Sequence, residues 1–279
     1  MPHPAPRPSL SASDEAAVIA RLRAAGCVFA EDEARLLITA AAGPAELTRM
    51  VERRAGGLPL EHVLGWAEFC GLRVAVDPGV FVPRRRTELL ARHAVDLARR
   101  AAARGAPPVA VDLCCGSGAV AAVLADALDR VELHAADIEP AAVRCARRNL
   151  GQRGRVHQGD LFGPLPAELR GRVDVLVANA PYVPTGALAL LPAEARVHEP
   201  RAALDGGADG LDVLRRVAAR APDWLAPGGV LLMEADDRQA PVLADSAARA
   251  GLAPAVARSE EPPATIVTAT RPAGGAGRG

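Results

Sequence analysis

Half of the 279 residues are apolar and 24% are charged, with 33 basic residues balanced by 33 acidic ones. Such a chain can bury a core, and it carries no net field that would draw it to nucleic acid or an anionic membrane. No apolar run approaches the roughly 20 residues that span a bilayer, and Met1 to Leu10 lacks the apolar stretch of a signal peptide, so a cytoplasmic protein is expected. The five cysteines show no C-x-x-C or Cys/His metal spacing, which points to neither a disulfide framework nor a metal site. Both ends, 1–12 and 272–279, are rich in Pro, Gly and Ala and are predicted to be disordered. From Ser13 to about Gly65 the pattern is helical. Asp14-Glu15 opens an apolar run through Val18, Ile19 and Leu22, and Glu31-Asp32-Glu33 opens another through Leu36, Leu37 and Ile38. Acidic first turns suit the positive end of a helix dipole. Residues 13–70 are therefore expected to form a small helical domain ahead of a second unit at 71–271. Extended pieces are predicted at 72–76 and 80–83. Strands at 109–113, 131–137, 155–160, 173–178, 229–234 and 265–268 then alternate with helices at 119–128, 141–150, 211–225 and 240–250. That alternation predicts an α/β fold with a mostly parallel sheet covered on both faces.

In such a sheet, ligands bind outside the carboxyl ends of the strands at the point where strand order reverses. The stretch Val111-Asp112-Leu113-Cys114-Cys115-Gly116-Ser117-Gly118 falls where the first of these strands turns into a helix. Gly116 and Gly118 would let backbone approach a ligand that side chains would hold off, although short glycine turns also occur there without a ligand. Gly116, Gly118 and Ala121 satisfy G-x-G-x-x-A as well, with Asp137 about 20 residues further on, so a nicotinamide dinucleotide is a competing reading. Asp137 could accept hydrogen bonds from both hydroxyls of a ribose, or cap the helix ahead of Pro140.

Asn179-Ala180-Pro181-Tyr182 directly follows the apolar strand at 173–178. By itself it reads as a strand-ending turn, since Pro181 forces Ala180 out of helical geometry. Together with the loop at 112–118, Asp137 and Gly159-Asp160, it resembles the [ND]-x-P-[YFW] signature of S-adenosylmethionine-dependent amino methyltransferases. The stretches Leu58 to Gly65, Glu68 to Leu72, Asp77 to Arg84, Thr87 to Leu90, Glu199 to Gly207 and Asp209 to Leu211 make the chain similar to the HemK/PrmC family of protein-(glutamine-N5) methyltransferases, over about 13–270. The resemblance implies a seven-stranded Rossmann-like class I methyltransferase domain with a small N-terminal helical domain that recognises substrate. It also implies a protein partner carrying a glutamine, either a peptide release factor or a different protein.

Carried over residue by residue, the resemblance assigns S-adenosylmethionine to Asp112, Cys114, Cys115, Gly116, Ser117 and Gly118, its ribose to Asp137, and its adenine to Asp160 and Leu161, with Asn179 bordering both ligands. A primary amide nitrogen is a poor nucleophile because its lone pair is delocalised, so it must be positioned. The Asn179 Oδ1 and the Ala180 carbonyl would accept its two N–H groups, while Pro181 and Tyr182 pack on the flat amide. Thr87 and Glu88 match residues near the site entrance, and Glu199 and Arg201 match either a substrate-side segment or a structural ion pair. The sequence departs from the family pattern at Cys114, which replaces a glycine, at Ala180, which replaces a proline, at Arg85-Arg86, which stand for Pro-Glu, and at Asp236, which replaces a glycine. Two other classes stay open: an amino methyltransferase for a small metabolite or nucleobase, and a non-catalytic cofactor-binding protein. An aromatic content of 3% gives little stacking surface for nucleic acid.

Overall fold

The computed structural model describes residues 12–273. Most of the predicted terminal disorder lies outside the described residues; Ala12, expected in the tail, instead opens the first helix. Helices α1 (Ala12–Ala24), α2 (Ala30–Ala40), α3 (Pro44–Ala55) and α4 (Leu60–Leu64) form the N-terminal part. They bury a core of their own around Leu22, Ala34, Leu37, Leu47 and Met50. Pro44 occupies the first turn of α3, where its missing N–H costs nothing.

An antiparallel hairpin follows, β1 (Trp66–Phe69) and β2 (Leu72–Ala75), with Phe69 opposite Leu72. Only β2 corresponds to a predicted extended piece, and the 70–71 division falls in the hairpin turn. Phe69 and Val74 pack with Leu90 and Ala94 of the next helix, so the hairpin belongs physically to the sheet domain. The predicted strand at 80–83 is an irregular loop. Its Val80 and Val82 are buried against Ala142 and Cys145, so their alternation records packing under a helix rather than pairing with a strand. Helix α5 (Glu88–Ala102) has no counterpart in the sequence reading. Its buried positions Leu90, Ala91, Ala94, Val95, Ala98 and Ala101 recur at helical spacing with charged residues between them, an amphipathic pattern that the sequence reading passes over.

The remaining elements are β3 (Val109–Leu113), α6 (Ala119–Ala127), β4 (Glu132–Asp137), α7 (Pro140–Leu150), β5 (Arg155–Gln158), β6 (Val173–Ala178), α8 (Ala193–His198), α9 (Asp212–Arg220), β7 (Leu225–Glu234), α10 (Ala240–Arg249), β8 (Ala253–Glu260) and β9 (Pro263–Thr270). Seven strands form one sheet in the order β5-β4-β3-β6-β7-β9-β8. The ladders from β5 to β7 are parallel, and β9 runs antiparallel to both β7 and β8. Every residue of β3 is buried, as a parallel strand covered on both faces requires. Strand β8 has no counterpart in the sequence reading because its Ala, Pro, Arg and Ser residues on an exposed edge carry no apolar alternation. The helix predicted at 211–225 ends at Arg220 and passes into a 3-10 turn at Ala221–Asp223 containing Pro222. Behind it Trp224 is buried and stacks on Phe162 at 5.4 Å between ring centres.

From β3 the chain steps outward to β4 and β5, then returns to place β6 on the other side of β3. The strand order therefore reverses between β3 and β6, and the carboxyl ends of β3, β4, β5 and β6 meet along one edge.

Candidate active site

A cleft of about 770 Å³ opens at that edge, within the usual range for small-molecule sites. Asp112, Cys114, Cys115, Gly116, Ser117, Asp137, Asp160, Leu161, Asn179, Ala180, Pro181 and Tyr182 all line it. Gly118 does not. It stands behind the loop at φ 76°, where an added Cβ would lie 3.0 Å from that of Ala146, so its task is to bring α6 close to α7.

One wall of the cleft is made by backbone. After β3 the chain turns through Cys114 at φ 55° and Gly116 at φ 54°. The Cys115 N–H donates to the Ala136 carbonyl at 3.1 Å, and the Gly116 N–H donates to Asp137 Oδ2 at 2.8 Å. Asp137 Oδ1 accepts from the Glu139 N–H at 2.9 Å. Its carboxylate is thus held in place at the end of β4, with lone pairs left for a diol. Asp112 is 2% exposed and accepts from the Ala121 N–H at 3.2 Å. Burial pushes its pKa up to about 7, assisted by the charge of Asp137. Burial also raises Asp137, and backbone N–H groups are what counter the shift at both carboxyls. A buried acidic pair of this kind suits a cationic ligand. Burial raises the Cys114 thiol as well, so it stands there as a neutral side chain. At the far end Asp160 is exposed and ion-paired with Arg216 of α9, while Leu161 is buried at φ 48°.

The opposite wall is made by side chains. Asn179 follows β6 and donates through Nδ2 to Thr87 Oγ1 at 3.3 Å. This leaves its Oδ1 for another donor. Tyr182 donates its hydroxyl to Glu234 Oε1 at 3.0 Å, and Arg86 Nε lies 3.3 Å from the same oxygen. The Arg86 guanidinium also sits 5.6 Å from the centre of the Tyr182 ring. Burial raises the Tyr182 and Glu234 pKa values, the charge of Arg86 opposing both shifts. Behind the tetrapeptide, Gly210 approaches so closely at φ 82° that a Cβ would lie 2.3 Å from the Tyr182 carbonyl oxygen. That carbonyl accepts instead from Gln239 Nε2 at 2.9 Å.

The segment between β6 and α9 forms the rim, with Leu191, Pro192, Glu194 and Ala195 facing the cleft. Arg54 of α3, itself paired with Glu33 of α2 through Nε at 2.6 Å and Nη2 at 3.1 Å, reaches Glu194 at 2.7 Å. Glu199 is buried, accepts from the Val82 N–H at 3.3 Å and pairs with Arg84 at 2.5 Å. Arg201 pairs with Asp205 at 2.9 Å, and Asp205 also accepts from Thr185 at 2.6 Å. Glu199 and Arg201, singled out together in the sequence, therefore hold two different partners. Glu88 is turned to Arg92 and to the Cys70 N–H.

Glu234, Arg54 and Glu194 carry no sequence signal. Glu234 reads as the last residue of an apolar strand, Arg54 sits in the ordinary amphipathic helix α3, and Glu194 in the six-residue α8. Among the described residues no group of three or more His, Cys, Asp and Glu side chains is placed to hold a metal, and no helix is long and apolar enough to cross a membrane.

A seven-stranded sheet in this order, with an acidic, glycine-turned cleft at its switch point, defines a class I S-adenosylmethionine-dependent methyltransferase. A family described as "Methyltransferase small domain" matches residues 72–209. Over 72% of this chain and 69% of the relative, the sequence is 40% identical to a release factor glutamine methyltransferase of Geobacter sulfurreducens. It is likewise 40% identical to a 4-amino-L-phenylalanine/4-methylamino-L-phenylalanine methyltransferase of Streptomyces pristinaespiralis, over 71% of this chain and 68% of the relative. Among solved structures, a ribosomal protein L11 methylase from Lactobacillus delbrueckii subsp. bulgaricus shares the fold at a TM-score of 0.51 and 16% identity, covering 71% of this chain and 85% of that one. The chain belongs to the release factor glutamine methyltransferase family.

Proposed function

We propose that this protein transfers the methyl group of S-adenosylmethionine to the side-chain nitrogen of a glutamine in a peptide release factor. The observation that carries the reading is the fixed Asn179 amide: Nδ2 is held by Thr87 at 3.3 Å, at the end of β6 and in the same cleft as the loop after β3. Oδ1 and the Ala180 carbonyl would accept the two N–H groups of the substrate amide, aiming its nitrogen and favouring the positive charge that develops on it. Pro181 and Tyr182 would flank the amide plane. The nitrogen loses its proton after transfer, so no general base is required beforehand. Bound across the opposite wall, S-adenosylmethionine supplies an electrophilic methyl on a positively charged sulfur. Asp112 and the turn from Cys114 to Ser117 would receive its methionine end, Asp137 its ribose, and Asp160 with Leu161 its adenine, while Gly118 supports the loop from behind. The helical part, residues 12–65, is read as the unit that docks the protein substrate.

Incubation with S-adenosylmethionine and a release factor, followed by mass spectrometry, should find one methyl on a glutamine. Asn179→Ala should lower turnover by about 100-fold or more, as for loss of an oriented transition-state partner, with cofactor affinity nearly unchanged. The relative from Streptomyces pristinaespiralis supports a second reading, transfer to the amino group of a small aromatic amino acid. Free 4-aminophenylalanine in a parallel incubation separates the two. Methylation of it alone would replace the protein substrate.

A further inference from the structure

We propose that Arg86 and Glu234 are positioning residues that together clamp the Tyr182 ring, fixing its direction and its plane against the acceptor amide. The proposal rests on the reading above, in which Tyr182 flanks that amide.

The backbone around Tyr182 is already held: its carbonyl accepts from Gln239 Nε2 at 2.9 Å, and the next N–H, that of Val183, donates to the Leu204 carbonyl at 3.0 Å. What remains to be fixed is the ring. Its hydroxyl donates to Glu234 Oε1 at 3.0 Å, which anchors the far end. A phenol oxygen lies on the axis about which the ring turns, so this bond fixes where the ring points and leaves its plane open, the last torsion of a tyrosine being intrinsically broad. The plane has to be set by a group off that axis. Arg86 is that group. Its guanidinium carbon lies over the ring, 5.6 Å from the centre, and a cation is attracted to the face of an aromatic ring rather than to its edge. Its Nε lies 3.3 Å from Glu234 Oε1, the oxygen that also takes the tyrosine proton. One carboxylate oxygen therefore holds both the end of the ring and the group that covers its face, while Arg86 supplies the counter-charge that a carboxylate only 2% exposed requires. Both Arg86 and Tyr182 line the cleft. The family pattern has Glu where Arg86 stands, and a glutamate could not pair with Glu234, so the clamp is a departure of this chain from that pattern.

The two halves of the clamp can be cut separately. In Arg86→Gln the new amide nitrogen takes the place of Nε and can still donate to Glu234, but nothing covers the ring; in Tyr182→Phe the ring stays covered and its end is released. The full-length enzyme would be assayed for kcat and for KM of the methyl acceptor, with cofactor affinity by calorimetry and folding by thermal melting, in these two variants, in Arg86→Lys and in Tyr182→Ala. Arg86→Gln should lower kcat by about 10-fold, the scale of a small misplacement at a reacting centre, with KM and cofactor affinity within about 3-fold. Tyr182→Phe should lower kcat by about 3-fold or more, as for loss of one hydrogen bond. Arg86→Lys sets an ammonium where the guanidinium carbon lies and should restore most of what Arg86→Gln loses. Because Arg86 acts only through the ring, adding Arg86→Gln to Tyr182→Ala should cost nothing further. Wild-type kcat in Arg86→Gln or in Tyr182→Phe, a raised KM at unchanged kcat in Arg86→Gln, or losses that multiply in the double variant would overturn the proposal. Should Arg86→Gln fail to fold, Tyr182→Phe and Arg86→Lys decide, and wild-type kcat in the first or a loss of 10-fold or more in the second would overturn it. If Tyr182→Ala itself kept full turnover, the reading of Tyr182 beside the acceptor would fall instead.

Discussion

The two walls of the cleft are built on opposite electrostatic plans. On the cofactor side, Asp112 and Asp137 are buried carboxyls steadied by backbone N–H groups, and burial raises both pKa values. On the substrate side, every buried carboxylate named above has an arginine: Glu234 has Arg86 and Glu199 has Arg84. One wall stores unmatched negative charge that a cationic ligand can neutralise. The other is balanced internally and offers neutral hydrogen-bonding groups to a neutral amide. In the proposed reading, a sulfonium donor and an amide acceptor would each meet the wall whose charge suits them.

The largest effect that could break this contrast is on stability. The folded-state pKa of Asp112, about 7, lies above the ordinary value of 3.8. Its contribution is therefore complete below about pH 4 and is lost as the pH rises through about 7, a change of about 4 kcal/mol at most. Asp112→Asn keeps the acceptor for the Ala121 N–H and has no proton to lose. In the absence of cofactor it should gain on the wild type by up to that amount between pH 4 and pH 8 in urea unfolding. Parallel curves would show that Asp112 is not the strained group.

Next in size, Asp137→Ala should weaken cofactor binding by about 1–3 kcal/mol, the cost of stranding hydrogen-bonded groups. Calorimetry would check this, and an unchanged affinity would move the ribose elsewhere. Cys114 adopts a backbone conformation that costs a residue with a Cβ about 1–2 kcal/mol. Cys114→Gly should recover about 1 kcal/mol of that, visible as a higher melting temperature; a lower one would mean that the thiol packs for more than the strain costs. The smallest effect belongs to the other wall. Only the carbonyl of Ala180 is invoked there, so Ala180→Pro should change turnover by no more than a few fold. A loss comparable to that of Asn179→Ala would contradict the backbone role.

The same contrast explains what could be read in advance. The cofactor wall comes from a continuous stretch, 111–118, and from Asp137, placed by strand periodicity, so the sequence displays it nearly whole. The Asn179 tetrapeptide is equally local. Its supports are not: Thr87 and Arg86, in the turn before α5, reach Asn179 and Glu234 only because that turn packs beside the ends of β6 and β7, and nothing local marks a glutamate at the end of an apolar strand as a hydrogen-bond partner. In the fold, the buried parallel strands announced themselves by continuous Val, Leu and Ala. Helix α5 is equally legible in its helical spacing of Leu90, Ala91, Ala94, Val95 and Ala98, although the sequence reading has no element there, whereas strand β8 is not, because an exposed edge needs no apolar face.

The rim segment, tied to the rest of the chain through Glu194 and Glu199 and internally through Asp205, bears on the entropy of catalysis. Fixing a residue's backbone costs about 1–2 kcal/mol, and a free loop of this length would charge that cost to every encounter with substrate. Here the cost is met once, during folding. The docking protein therefore meets a mouth already shaped, and its binding energy is left for aligning the acceptor nitrogen rather than for ordering the enzyme.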